Sequence, residues 1–437
     1  MRNENIMMHR AIILYRKTSP RGSKNTAALW RPENLSWIVI RWQHFRTKSE
    51  SIIDNTRNDY KGFNLSVIAI LQVTNILKMR SCITSVLRFR SWRGSRSIPG
   101  YGKRSHLVWR SFTSESDEKK HTKQPELWKE MRDTSLKGVG QVIFLNSQQS
   151  GAILLGSLAL GDPYLAALAA TGALTSTTVA KGLKLDKSAL DNGLLGYNGT
   201  LMGCVSAVFI APQNTLLGLA STVPGAAAAT VITSVLPKAM PKDVPQWTFA
   251  FNIAALTQLL RVQPLIQKSS EDAPAAVEAA TVTFSSVLAT PFVGLSQIFV
   301  VESGLSGLGV VAAISSYSPL LAAHALAGST VGALTGLCLG APAAEITAGL
   351  WGFNSALTSM GVAVFFKNNN SSIALSLGGA AATAALFGGL KTLFGVAGSP
   401  CLTLPFCITM TGCYMMAGTI PSLSLASSPH SPEKNTT

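Results

Sequence analysis

The chain has 437 residues, of which 47% are hydrophobic and only 13% charged, and its formal net charge is +16. The charge is uneven, because 27 of the 37 Lys and Arg side chains precede residue 138. A basic balance is typical of contact with nucleic acid or with an anionic membrane surface. The remaining 300 residues are so apolar that they must sit in lipid, so we expect a membrane protein and no nucleic-acid partner.

Residues 1–137 mix Arg, Ser, Thr and Trp without steady periodicity. We expect a basic N-terminal extension that is cytoplasmic and largely disordered. The apolar run at 64–77 is too short for a membrane span and favours an interfacial helix or a local folded patch. Two alternatives remain open: a targeting peptide, against which Glu4 and Glu33 count, and a lipid- or nucleic-acid-binding module, whose affinity would fall steeply with salt.

Parts of the apolar body occur twice. LLGYN at 194–198 is matched by LWGFN at 350–354, a shift of 156, and VPQWTFAFN at 244–252 is matched by SPCLTLPFC at 399–407, a shift of 155. The shift of 156 also relates Gln141 to Gln297 and Pro163 to Pro319. Matches with so little drift predict a duplicated unit. Duplication of a long apolar unit is typical of transporters with a pathway between two halves.

Each copy contains five hydrophobic stretches that are near the length of a membrane helix. They are 138–160, 163–180, 200–220, 225–240 and 246–263, then 288–315, 318–340, 350–366, 372–396 and 400–420. An odd number of spans makes the second copy enter the membrane from the opposite side. The sequence therefore predicts an all-α polytopic membrane protein with ten transmembrane helices in two inverted five-helix repeats, 138–263 and 288–420.

The loops predict the orientation. Lys181, Lys238 and Lys367 follow spans two, four and eight, which are cytoplasmic positions if the N-terminus is inside. The linker 264–287 is acidic and is expected to be extracellular. Residues 421–437 are rich in Ser and Pro and are expected to form a disordered cytoplasmic tail. Both termini would then be cytoplasmic.

The body lacks the side chains that most chemistry requires. It has no paired carboxylates, no His/Cys cluster and no Gly-rich phosphate loop, and His324 is its single histidine before residue 421. We therefore expect no enzyme activity, cofactor, metal or disulfide. Ionisable groups in membranes usually mark ion or proton pathways, so their scarcity favours a route for a small uncharged solute. Glu302 and Glu345 are the exceptions.

Two paired features remain as candidate parts of such a route. LLGYN and LWGFN favour a half-span helix that breaks before a full one, with the asparagine capping the broken end; ordinary glycine packing is the alternative. Thr248 and Thr403 each follow a proline by three residues, and paired positions near a pseudo-two-fold axis would converge at the narrowest polar point of a pore. The alternative is a hydroxyl that bonds to its own helix.

The body resembles the urea transporter family over about residues 138–420. The resemblance is carried by GVGQVIF (138–144), GLLGYNGTLMG (193–203), DVPQWTFAFN (243–252), APAAEITAGLWGFNSAL (341–357) and LTLPFC (402–407). It implies ten helices with two half-span pore helices, a homotrimer in the plasma membrane, and passive, channel-like transport of urea through a slot-shaped selectivity filter. A channel for ammonia or a urea analogue is the alternative.

The resemblance also implies roles for individual residues. Phe144 and Tyr197 would form the walls of one slot, and Val300 and Phe353 those of the other. Leu201 and Leu357 would flank the slots, Gln141 and Gln297 would offer side-chain amides to urea, and Thr248 and Thr403 would form the constriction. The first copy departs from the family pattern at Ala250, where proline is expected, and this departure puts the local shape of that slot in question.

Overall fold

The computed structural model describes residues 127–212, 214–270 and 283–435, without the side chains of 263–270. Most of the predicted N-terminal extension lies outside the described residues, as do residues 271–282 of the predicted linker. The last residues of the predicted extension belong to a helix, Leu127–Gln141, that continues past residue 138.

The described residues form helices joined by short loops, which agrees with the predicted all-helical class. The α-helices are α1 Leu127–Gln141, α2 Gln148–Gly161, α3 Pro163–Gly182, α4 Lys187–Asp191, α5 Tyr197–Val205, α6 Thr215–Val235, α7 Phe249–Ser270, α8 Phe284–Ser296, α9 Gly304–Ser315, α10 Pro319–Cys338, α11 Ala343–Thr347, α12 Phe353–Phe365, α13 Asn370–Gly395 and α14 Leu404–Met416. A π-helical turn, Ser206–Ile210, extends α5, and 3-10 turns follow α6 at Leu236–Lys238 and α8 at Gln297–Phe299.

Two equivalent helices, α3 and α10, begin 156 residues apart, which is the shift found in the sequence. Helix α3 begins at Pro163 behind the cap Asp162, and α10 begins at Pro319 behind the cap Ser318. In both, the cap side chain accepts a hydrogen bond from the backbone N–H three residues later. Proline suits the first helical position because its missing N–H would have no partner there.

Length and composition single out fewer spans than the sequence predicted. Within the described residues, Thr215–Lys238, Pro319–Cys338 and Asn370–Gly395 are long and apolar enough to cross a bilayer. A fourth is added if Phe284–Phe299 and Gly304–Ser315, bent by 78°, count as one span. The helices of 10–17 residues that are also apolar, such as Phe353–Phe365, fall short of the usual span length.

The stretches 138–160 and 288–315, each predicted as one span, are both interrupted. Helix α1 ends at Gln141 and α2 begins at Gln148; α8 gives way to a 3-10 turn before α9. At each break a residue takes the left-handed conformation, Phe144 at φ 67° and Val300 at φ 62°. A helix cannot continue through that conformation, and apolar composition does not reveal it.

Close contact between helices depends on glycine. A Cβ added to Gly172 of α3 would lie 2.0 Å from the Gly199 oxygen of α5, and one added to Gly203 would lie 2.1 Å from the Leu168 oxygen. In the second half, a Cβ on Gly332 would lie 2.3 Å from the Trp351 oxygen. Small residues at these positions let backbones approach, as is usual in membrane helix packing.

The C-terminal segment, for which the sequence predicted a disordered tail, contacts the bundle as far as residue 435. The Asn435 amide donates to the Val364 oxygen at 2.7 Å, and the Tyr317 and His430 rings stack at 5.0 Å. Glu433 accepts from Ser318 Oγ and from the Leu320 N–H, so it helps to cap α10. Composition pointed to disorder because these contacts join residues more than 70 positions apart.

We expect Glu433→Gln to lower the melting temperature by a few degrees at neutral pH and by less in acid. Partial burial raises the pKa of the Glu433 carboxyl, but hydrogen bonds from Ser318 and Leu320 lower it more, so the folded-state pKa lies below the usual range. The carboxylate therefore stabilises the fold above the unfolded-state pKa of about 4.3, and this contribution is lost as pH falls through the folded-state pKa.

Thermal unfolding of both proteins in detergent, at about pH 7 and at about pH 3, measures this difference. Glu302→Gln, at an exposed carboxyl before α9, is the matched control. An equal destabilisation by Glu433→Gln at both pH values would contradict the assignment.

Candidate functional site

The two buried glutamines predicted to meet the solute are held in the same way. Gln141 Nε2 donates to the Asn192 oxygen at 2.8 Å, and Gln297 Nε2 donates to the Ala348 oxygen at 2.9 Å. The acceptors are the C-terminal caps of the short helices α4 and α11, and they are again 156 residues apart. Each Nε2 uses one of its two N–H groups in this bond, and Oε1 is the atom of each amide that can accept a hydrogen bond from a solute.

A cavity of about 310 Å³ brings four of the predicted site residues together: Gln141, Phe144, Tyr197 and Thr248. The rest of its lining is Val142, Leu194, Pro237, Pro241, Lys242, Asp243, Val244, Pro245, Gln246, Trp247, Phe365 and Phe406. Apart from Lys242 and Asp243 these side chains are uncharged. The other predicted residues, Leu201, Gln297, Val300, Phe353, Leu357 and Thr403, do not line this cavity.

Edge-on aromatic rings form much of the cavity wall. The ring of Phe144 lies 6.1 Å from Phe365 and 6.3 Å from Phe406, and Trp247 lies 5.2 Å from Phe365. Tyr197, the predicted partner of Phe144, donates its hydroxyl to the Trp247 oxygen at 2.6 Å. Trp247 and Phe406 lie inside the motifs that carried the resemblance, whereas no sequence signal marked Phe365.

The predicted residues of the second slot are not joined in a single cavity by the described contacts. The Phe353 ring packs against Phe387 at 6.0 Å. Val300 keeps the left-handed conformation of its counterpart Phe144. Leu201 and Leu357, predicted to flank the slots, are buried in the helix packing.

The LLGYN and LWGFN motifs lie in a different local structure from the one predicted. The helices before them, α4 and α11, have five residues each and reach only about 7 Å, too short for half a bilayer. The helices after them begin behind Gly196 and Gly352 without a side-chain cap. Asn198 instead donates to Thr233 Oγ1 at 2.9 Å, so the predicted capping role is wrong.

The second asparagine, Asn354, also serves a neighbouring helix. Its Nδ2 donates to the Leu402 oxygen at 3.1 Å, and its Oδ1 accepts from the Phe406 N–H at 3.4 Å. Phe406 is in the first turn of α14, where backbone N–H groups lack partners within the helix. Asn354 therefore satisfies a helix start, but not the one that the sequence indicated.

The structure brings Thr248 and Thr403 together, although 155 positions separate them. Their hydroxyl oxygens are 2.7 Å apart, and both residues are 4% exposed. Each lies directly before an equivalent helix, α7 or α14. Both helices begin at the equivalent position even though Ala250 replaces the expected proline. Ala250 is in the first turn of α7, where a backbone N–H has no acceptor within the helix, so a proline is not needed there.

Two further polar residues complete this cluster, and the sequence analysis did not select them. Asn252 Nδ2 donates to Thr403 Oγ1 at 2.8 Å, and Cys407 Sγ lies 3.1 Å from Thr248 Oγ1. The signal that could have found them is their spacing, since each follows its threonine by four residues, one helical turn.

No group of three His, Cys, Asp or Glu side chains within the described ranges is placed to hold a metal ion. The cysteines described, Cys204, Cys338, Cys401, Cys407 and Cys413, are free thiols. What the cavity offers is therefore aromatic walls, carbonyl-type acceptors and hydroxyls. Such groups can replace the hydration of a small polar solute.

Comparison with known proteins gives one family. The sequence model described as "Urea transporter" matches residues 132–418. Urea transporter 1 of Ovis aries is 32% identical over 285 residues, which cover 63% of this chain and 74% of the relative. Urea transporter 1 of Rattus norvegicus is 32% identical over 286 residues, with the same coverage. The family match spans well over half of the chain and includes every predicted site residue, and the chain therefore belongs to the urea transporter family.

Proposed function

We propose that this protein transports urea across a membrane by a passive, channel-like route. Membership of a transport family supports this activity and supports a role other than that of an enzyme. The observation that carries the mechanism is the cavity that joins Gln141, Phe144, Tyr197 and Thr248, because it combines aromatic walls with uncharged hydrogen-bonding groups. No ion-coupling chemistry is required of these side chains.

The chemistry of urea fits this lining. Urea is planar, with four N–H donors and one carbonyl acceptor. In the proposed slot-shaped filter, the Phe144, Phe365 and Phe406 rings confine its faces, and Gln141 Oε1 accepts from its N–H groups. Hydrogen bonds along the edge of the solute then offset the loss of its hydration.

The proposed architecture is ten membrane helices in two inverted repeats, assembled as a homotrimer in the plasma membrane with both termini cytoplasmic. The equivalent order of α1 to α7 and α8 to α14 supports the repeat. The exposed apolar side chains of α6, α10 and α13 suit contact with lipid. Gln297, Val300 and Phe353 would line the second slot of the same route, and Leu201 and Leu357 would flank the slots.

Reconstitution of the purified full chain into proteoliposomes tests the function. We expect urea efflux, followed by stopped-flow light scattering, to exceed that of empty liposomes, to saturate, and to need no ion gradient. Ammonia flux measured in the same vesicles is the comparison. Flux of ammonia without flux of urea would refute the proposal and leave a channel for another small neutral solute.

A further inference from the structure

Each of the paired threonines is contacted by a side chain that lies one helical turn beyond the other threonine. Asn252, which follows Thr248 in α7, reaches Thr403 at 2.8 Å. Cys407, which follows Thr403 in α14, reaches Thr248 at 3.1 Å. Asn252 and Cys407 are equivalent by the shift of 155, so the same cross-contact is made once by an amide and once by a thiol.

The amide of Asn252 is fixed in orientation. Its Nδ2 donates to the Thr248 backbone oxygen at 2.8 Å and to Thr403 Oγ1 at 2.8 Å, and its Oδ1 accepts from the Thr403 N–H at 3.2 Å. A reversed amide would face its oxygen to the Thr248 carbonyl and its nitrogen to an N–H group. The residue is 1% exposed, so water cannot compensate for such a reversal.

This orientation favours one direction for the hydrogen bond between the two threonine hydroxyls. Thr403 Oγ1 accepts from Asn252, and a hydroxyl that accepts a hydrogen bond becomes a better donor. The neighbouring oxygen at 2.7 Å, Thr248 Oγ1, is an acceptor within its reach. The Thr248 hydroxyl then donates to Cys407 Sγ. Because sulfur is a weak acceptor, this hydrogen bond can be exchanged for one to a solute at little cost.

We propose that Asn252 is a positioning residue that polarises the threonine pair, so that the Thr248 hydroxyl donates to the carbonyl oxygen of urea. Thr248 lines the cavity, whereas Asn252 acts from behind it through Thr403. The pathway then offers an acceptor at Gln141 Oε1 for the N–H groups and a donor at Thr248 for the carbonyl. This inference rests on the proposed transport of urea.

The test measures urea and thiourea flux in proteoliposomes containing wild type, Asn252→Leu or Asn252→Asp. Both substitutions keep the approximate shape of the side chain and remove its two N–H donors. We expect the half-saturating urea concentration to rise by roughly tenfold, the effect of losing about one neutral hydrogen bond. We also expect the preference for urea over thiourea to fall, because sulfur accepts weakly from the Thr248 hydroxyl.

Thr230→Val is the matched control. Thr230 is a buried hydroxyl in α6 that donates to Ser176 at 2.7 Å and does not line the cavity. A purely structural loss reduces the number of folded channels and the maximal flux, and leaves the half-saturating concentration unchanged. That result is expected for Thr230→Val, and the same result for Asn252→Leu would overturn the positioning role.

The outcomes also separate this inference from the proposed function. Wild-type vesicles without urea flux would refute the function itself. Wild-type flux with an unaltered half-saturation and selectivity in folded Asn252 variants would refute only the inference. If both variants fail to fold, hydrogen exchange of the Asn252 side-chain amide in the wild-type protein decides: slow exchange is expected, and exchange as fast as in an exposed asparagine would overturn the fixed orientation.

Discussion

Urea flux is expected to fall by at least about tenfold when Thr403 is replaced by valine. Valine keeps the shape of threonine but removes the hydroxyl that lies 2.7 Å from Thr248 and accepts from Asn252 at 2.8 Å. One N–H of Asn252 is then left with only Cys407 Sγ, a weak acceptor 3.7 Å from Nδ2, and the narrowest polar point of the proposed route loses half of its hydroxyls. Each lost bond costs roughly 1 kcal/mol, and an unsatisfied buried donor costs about 1–3 kcal/mol.

Flux per reconstituted protein, measured by stopped-flow light scattering, checks this result. Thr383→Val is the control, because Thr383 is a buried hydroxyl of α13 that bonds to Thr358 at 2.8 Å and lies away from the cavity lining. Its flux should remain within twofold of wild type, roughly the effect of a small change in folded fraction. Wild-type flux in Thr403→Val would remove the threonine pair from the proposed pathway.

The second large effect concerns the fold. Gly193→Ala is expected to lower the free energy of unfolding by about 3 kcal/mol or more. Gly193 has φ +73°, a conformation that residues with a Cβ rarely adopt, and an added Cβ would lie 2.6 Å from the backbone nitrogen of Gly138 in α1. The Cβ is fixed in place by its own backbone and the nitrogen is part of α1, so neither atom can rotate away from the clash.

Chemical or thermal unfolding in detergent measures this change. Gly156→Ala, where a Cβ would meet nothing within 4 Å, is the matched control and should be neutral or slightly stabilising. Gly349, with φ +77° and the same close approach to the Gly294 nitrogen, provides an independent repetition in the second half. A Gly193→Ala protein as stable as Gly156→Ala would contradict the close packing described here.

The sequence predicted those features that depend on local pattern. Capped apolar segments such as Pro163–Gly182 and Pro319–Cys338 were located to within two residues, because caps and proline mark helix starts. The approach of Thr248 to Thr403 was expected from the repeat alone. Repeated spacing carries three-dimensional information because equivalent positions near a symmetry axis meet each other.

What was missed depends on contacts between distant residues. Phe144 and Val300 have positive φ, although their residue types normally avoid it. Residue preferences therefore could not predict these left-handed turns. The contact from Asn252 to Thr403 spans 151 positions, and the segment up to Asn435 is held by bonds to residues such as Val364. The composition of a segment does not show which distant residues it will contact in the folded protein.

The crossed contacts of Asn252 and Cys407 have a consequence for how the two copies can diverge. Each of these residues acts on the threonine of the other copy, so neither copy by itself contains a finished polar centre. A substitution at Asn252 removes a hydrogen bond to Thr403 of the other copy as well as the bond to the Thr248 backbone oxygen of its own copy. Substitutions in one copy therefore alter the hydrogen bonds of the other, which limits how far the two copies can diverge independently.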